Sequence, residues 1–123
     1  MTQKMKIQHH DLVKNLAKSG DLIVKEMTGA GAHAIHMAVG ISGESGELLD
    51  AIKKFVIYGK KLDRENVVEE MGDIEFYLEG LRQGLGITRE ETIDGNIEKL
   101  SIRYSSGGYS DEQAQQRADK VVN

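Results

Sequence analysis

The sequence predicts an all-α fold, a helical bundle of four to five helices, and three observations predict it. None of the 123 residues is proline, so the strongest helix breaker is missing. Apolar residues recur at three- and four-residue intervals. No segment shows the sustained alternation and turn chemistry of a sheet.

The punctuation places each helix. A first helical region is expected from about Lys4 to Met27, with Ile7, Val13, Leu16, Leu22 and Ile23 as its apolar points and Ser19-Gly20 bending or interrupting it. Thr28-Gly29-Ala30-Gly31 reads as a loop. A second helix is expected from about His33 to Tyr58, with Leu48, Leu49, Ile52, Phe55 and Val56 as its buried stripe and Gly59 ending it. Asp63 can cap a third helix from about Arg64 to Leu85, whose core stripe is Val67, Met71, Ile74, Leu78, Leu81 and Leu85, with Gly86 as its stop. Thr88 and Glu91 fit a capping box opening a fourth helix, whose stripe includes Ile93, Ile97 and Leu100. Gly107-Gly108 interrupts the pattern, and Ser110 with Gln113 suggests a short polar helix running to the C-terminus.

Length and composition narrow the function. A chain of 123 residues suits one domain, spanning 1–123, with a thin core, so self-association as a dimer or tetramer is expected. Hydrophobic residues at 39% and charged residues at 29% fit a folded, water-soluble chain. With no cysteine, disulfides, thiolate zinc sites and a cysteine nucleophile are excluded. The net charge of −4 and the lack of a basic run argue against a nucleic-acid polymer as partner. The stretch from Met27 to Gly43 is too rich in Gly, His, Ser and Thr to span a membrane. A cytoplasmic location is expected.

Two acid pairs stand out. Glu44 and Glu47 are three apart on the second helix, and Glu70 and Asp73 are three apart on the third. Residues at that spacing are neighbours on a helix, with Cβ atoms roughly 5–6 Å apart. A short connection favours antiparallel packing, which lets the pairs face each other. Four converging carboxylates repel one another unless a cation sits among them, and hard oxygen ligands suit Mg²⁺, with Mn²⁺ as a substitute. Gly43, Gly46 and Gly72 flank these acids, where a missing Cβ permits close approach of backbone or ligand. The alternative is a solvated acidic face, since a single acid pair arises readily among 20 acidic residues.

Glu44-Ser-Gly-Glu47, a spacer, then Glu70-Met-Gly-Asp73 resembles the ExxE…ExxD signature of the MazG-like, all-α nucleotide pyrophosphohydrolases. Asn96-Ile-Glu-Lys99-Leu-Ser-Ile-Arg103-Tyr104 resembles the Asn-x-x-Lys-x-x-x-Arg-Tyr segment that follows in that family. The resemblance spans about residues 33–119. Ser105 stands where the family often has proline after Arg-Tyr, a departure that bears on the turn and not on the acids.

The resemblance implies magnesium-dependent hydrolysis of a nucleoside triphosphate, a dNTP or NTP, to the monophosphate and pyrophosphate. Glu44, Glu47, Glu70 and Asp73 are then expected to hold the metal, one of them also orienting or deprotonating the water. Asn96, Lys99 and Arg103 form one stripe of the fourth helix that would bind phosphate, against the alternative of a surface charge ladder. Lys54 shares the face of Glu47, as a substrate contact or a solvated lysine. His36, eight residues before Glu44, lies on the acid-bearing face, where it could touch base or sugar or serve as a structural histidine. Tyr77 could stack on a base or fill the core. The competing readings are a dUTP or phosphoribosyl-ATP pyrophosphatase of the same superfamily, and a non-catalytic helical interaction protein.

Overall fold

A computed structural model describes residues 6–120. It contains six α-helices: α1 (His9–Leu16), α2 (Gly20–Glu26), α3 (Gly29–Val56), α4 (Arg64–Leu85), α5 (Arg89–Arg103) and α6 (Asp111–Gln116), followed by a 3₁₀ turn at Ala118–Lys120. There is no strand among the described residues. Among the described residues no helix is long and apolar enough to cross a membrane. The chain divides into two compact units, Met1–Ala32 and His33–Asn123, the boundary falling within α3.

In the first unit the expected helical region is interrupted just before Gly20 and forms two helices. Its expected start, Lys4, lies outside the described residues. α1 ends at Leu16, and Ser19 restarts the chain by accepting the amide of Leu22 on its Oγ at 3.5 Å. Lys18 and Glu26 close an ion pair across α2 at 2.9 Å. The segment 28–31, expected as a loop, is instead the start of α3. Thr28 accepts the Gly31 amide on Oγ1 at 3.0 Å, and its carbonyl accepts the Ala32 amide at 2.9 Å. A good N-cap offsets the glycines' low helix propensity, and the helix begins four residues earlier than His33.

The other boundaries follow the sequence closely. α3 ends at Val56, and Gly59 takes a left-handed φ of 65°, which lets the Lys60 amide return to the Lys54 carbonyl at 3.1 Å. Asp63 caps α4 by accepting the Asn66 amide at 3.1 Å, and Gly86 closes it with a φ of 68°. Thr88 caps α5 through the Glu91 amide at 3.0 Å, and Ser110 caps α6 through the Gln113 amide at 3.1 Å. That last helix stops at Gln116, sooner than expected, and the part of the expectation that concerns residues 121–123 lies outside the described residues.

α3 and α4 pack antiparallel along a seam of glycines. The His33 ring lies against Gly84 and bonds the Gly80 carbonyl through Nε2 at 2.9 Å. Met37 fills the space over Gly80, and the Tyr77 ring fills that over Gly40, so ascending positions on α3 meet descending ones on α4. Met37, in this seam, and Ala51, farther along α3, are the buried apolar residues among those described. The wider stripes expected to be buried are covered only in part: Leu48, Val67, Ile74, Leu78 and Leu81 are half-buried. Leu49, Ile52, Phe55 and Val56 on α3, Met71 and Leu85 on α4, and Ile93, Ile97 and Leu100 on α5 all stay exposed in the single chain. Periodicity marks the apolar face of a helix, but two paired helices cover only one narrow strip of it.

Candidate metal centre

Beyond Gly40 and Tyr77, the same pair of helices carries the acids. The three-residue step puts Glu44 and Glu47 on one side of α3, and the antiparallel register sets Glu70 of α4 across from them. One carboxylate oxygen from each of the three lies within 4.8 Å of the others. Glu70 is buried, Glu44 half-buried and Glu47 exposed, so the cluster has a closed floor and an open rim.

The electrostatics are unfavourable for three bare charges. Oε2 of Glu44 and Oε2 of Glu70 are buried without a hydrogen-bond partner. The neighbouring Glu44 carboxyl, burial, and then Glu47 push the Glu70 carboxyl up to about 7 from its ordinary 4.5. A buried acceptor left unpaired destabilises the fold, and like charges this close favour a shared proton or a cation. The donor set, all hard carboxylate oxygens, fits a divalent ion such as magnesium. Two orphaned oxygens on clustered carboxylates are what such an ion would satisfy.

A cavity of about 510 Å³ opens beside the cluster, lined by Gly43, Gly46, Glu47, Asp50, Asn66 and Glu70. Nothing lies within 4 Å of where a Cβ would stand on Gly43, Gly46 or Gly72, so these glycines leave space open instead of admitting a neighbouring helix. Asp50 and Asn66 were not singled out from the sequence. The signal for Asp50 was available, since 44, 47 and 50 form one three-step ladder. Nothing local marks Asn66, which reaches the cavity only through the α3–α4 register.

The other predicted residues are placed as follows. Asp73 is exposed and is not among the three clustered carboxylates. Lys54 bonds Asp50 one turn back, Nζ to Oδ2 at 3.0 Å, and the hydrogen bond and charge of that carboxylate raise its pKa. His36 is exposed and meets the edge of the half-buried Tyr77 ring, with centroids 6.2 Å apart. Asn96 is exposed and Lys99 half-buried on α5. Arg103 donates from Nε to Asp119 Oδ1 at 2.9 Å. None of His36, Lys54, Asn96, Lys99 and Arg103 lines the acid cavity.

A family model described as the MazG nucleotide pyrophosphohydrolase domain matches residues 33–107. No curated protein and no solved structure matches the chain.

Proposed function

This chain belongs to the MazG nucleotide pyrophosphohydrolase family, and from that premise we propose that it hydrolyses nucleoside triphosphates to the monophosphate and pyrophosphate with magnesium. The observation that carries the reading is the trio Glu44, Glu47 and Glu70, whose carboxylates converge within 4.8 Å, while Glu44 and Glu70 each have one oxygen buried and unpartnered. These three, with Asp73 as a fourth donor one turn along α4, would hold the ion. When bound, a divalent ion polarises phosphate oxygens and acidifies a water.

The chain's own groups do the rest. In this reading Glu47, at the open rim, would accept a proton from an attacking water, and Glu70 would anchor the floor. Lys99 and Arg103, with Asn96, would neutralise the phosphates, and cationic stripes suit a reaction governed by charge. Lys54, held by Asp50 at the cavity edge, and His36, on the acid-bearing helix, are the remaining substrate contacts of this reading.

Self-association belongs to the same reading. The exposed Leu49, Val56, Met71, Phe76 and Ile97 are more than a stable monomer leaves in water, and a second copy would cover them. Sedimentation of a 13.6 kDa particle at working concentration would refute it.

The decisive assay is pyrophosphate release from a panel of ribo- and deoxyribonucleoside triphosphates, dUTP and phosphoribosyl-ATP, with and without Mg²⁺. Magnesium-dependent release lost in Glu47→Gln is the expected result. Release confined to dUTP or phosphoribosyl-ATP would redirect the substrate. No release and no magnesium-dependent thermal shift would leave a non-catalytic interaction protein. Asp73→Asn tests the fourth donor, and full magnesium affinity in that variant would remove it from the site.

A further inference from the structure

The acid cavity extends beyond the three clustered carboxylates. Asp50 lies one turn after Glu47 on α3, and Asn66 lies one turn before Glu70 on α4. Both line the cavity, and both are displaced toward the 57–63 connection that joins the two helices. At about 510 Å³ the space exceeds what an ion needs and falls in the range of small-molecule sites. Glu70, which lines its other end, is 8% exposed and keeps one buried oxygen without a partner.

The lining is short of donors. Glu47, Asp50 and Glu70 only accept as carboxylates, and Gly43 and Gly46 bring no side chain. Asn66 is the one lining residue whose side chain carries N–H groups. It is half-buried, Asp63 takes its backbone amide at 3.1 Å, and its carboxamide makes no hydrogen bond among the described residues. An uncommitted donor on the wall of an open cavity is available to a ligand.

Charge divides along the same axis. Glu44, Glu47 and Glu70 make one end negative. Toward the other, segment 53–64 carries Lys53, Lys54, Lys60, Lys61 and Arg64 against a single acid, Asp63, in a chain of net charge −4. Lys54 offsets Asp50 at 3.0 Å, and Lys60, Lys61 and Arg64 are exposed. A triphosphate held by an ion at the acids would find its most highly charged portion drawn toward these cations.

We propose that Asn66 binds the pyrophosphate end of the substrate, its carboxamide donating to an oxygen of the β- or γ-phosphate. The phosphates then run from the acids toward the connection, and the nucleoside extends the opposite way. The inference rests on the reading of the acids as a magnesium–nucleotide site and gives that site a direction. An uncharged donor suits the place. A guanidinium or ammonium there would pair with the neighbouring carboxylates and compete with the ion, which a carboxamide does not.

The test is calorimetric titration of magnesium pyrophosphate, and separately of the nucleoside monophosphate, into the parent, Asn66→Ala and Asn66→Asp. Steady-state kinetics with the best triphosphate run beside it. Asn66 sits in the first turn of α4, where an acid is favourable, so Asn66→Asp is expected to fold. Asn66→Ala should weaken pyrophosphate binding and raise KM about tenfold, with monophosphate binding within about twofold of the parent. Asn66→Asp keeps the size, loses the donor and adds a charge. It should weaken pyrophosphate more than Asn66→Ala does, while Mg²⁺ alone binds at least as tightly as to the parent. Pyrophosphate binding in Asn66→Ala within about twofold of the parent overturns the inference. A fall in kcat with pyrophosphate binding unchanged also overturns it and moves Asn66 to the attacking water. Weakened monophosphate binding with pyrophosphate binding intact reverses the direction and overturns it as well. A parent that neither hydrolyses a triphosphate nor binds magnesium removes the functional reading and the inference together. An active parent with an indifferent Asn66→Ala removes the inference alone.

Discussion

The α3–α4 pair uses glycine in two opposite ways along its length. Toward the start of α3, Gly40, Gly80 and Gly84 are filled by Tyr77, Met37 and His33, and a Cβ at any of them would meet its neighbour at under 3.0 Å. A few residues on, Gly43, Gly46 and Gly72 face open space. Here the helices carry Glu44, Glu47 and Glu70, with two buried oxygens left unpaired. One end of the seam is closed and the other is kept open. A helix pair that packed tightly throughout would have no cavity, and one that was open throughout would not hold three carboxylates in register. The closed end supplies the rigidity that the open end uses.

Substitutions can break or sharpen this contrast. The largest effect is expected at the open end, where Glu47→Gln should lower magnesium-dependent turnover by about a hundredfold or more. Turnover within a few-fold of the parent would separate the cluster from the chemistry. At the closed end, Gly40→Ala forces a methyl into the Tyr77 ring and should cost about 1–3 kcal/mol of stability in urea unfolding; a neutral result would show that the seam can relax.

The third prediction concerns pH. Glu70 titrates near 7 in the fold against an ordinary 4.5, so the folded chain binds this proton more tightly than the unfolded chain. The corresponding stability is fully present below about pH 4.5 and is lost as pH rises through about 7. Melting of metal-free protein at about pH 5 and about pH 8 should show that loss, and Glu70→Gln should abolish it. Magnesium should raise the melting temperature of the parent at the higher pH and not that of the variant. A parent curve flat across this range would place the carboxylates farther apart than 4.8 Å.

The smallest effect is expected at Gly46. Ala there should stabilise the helix by about 0.5–1 kcal/mol, while its methyl enters the cavity and reduces turnover. Destabilisation would mean that something unseen in the single chain, such as a second copy, approaches that face.

Helix boundaries were legible wherever a side chain or glycine sets them locally. Asp63, Thr88 and Ser110 each cap the helix they were expected to cap, and Gly59 and Gly86 end theirs in the left-handed region. The reading failed at Thr28 to Gly31, where glycine suggested a loop but the Thr28 cap made the segment helical. It failed more broadly on burial. Leu49 and Phe55 have the right period and remain in water, because period specifies a face and not what covers it. Gly43, Gly46 and Gly72 were recognised as unusual, yet close helix approach occurs at Gly40, Gly80 and Gly84.

By itself the sequence determined the helical class, the caps and the three-residue steps that put Glu44 beside Glu47, since all of these depend on a turn or less of chain. Only the tertiary structure decided that Glu70 joins them while Asp73 stands aside, that Asp50 and Asn66 border the same cavity, and that Asp119 returns to Arg103. Those outcomes depend on the register between helices and on a chain reversal at Arg117. Register is a sum of many side-chain fits along the seam, and no local pattern of residues encodes it.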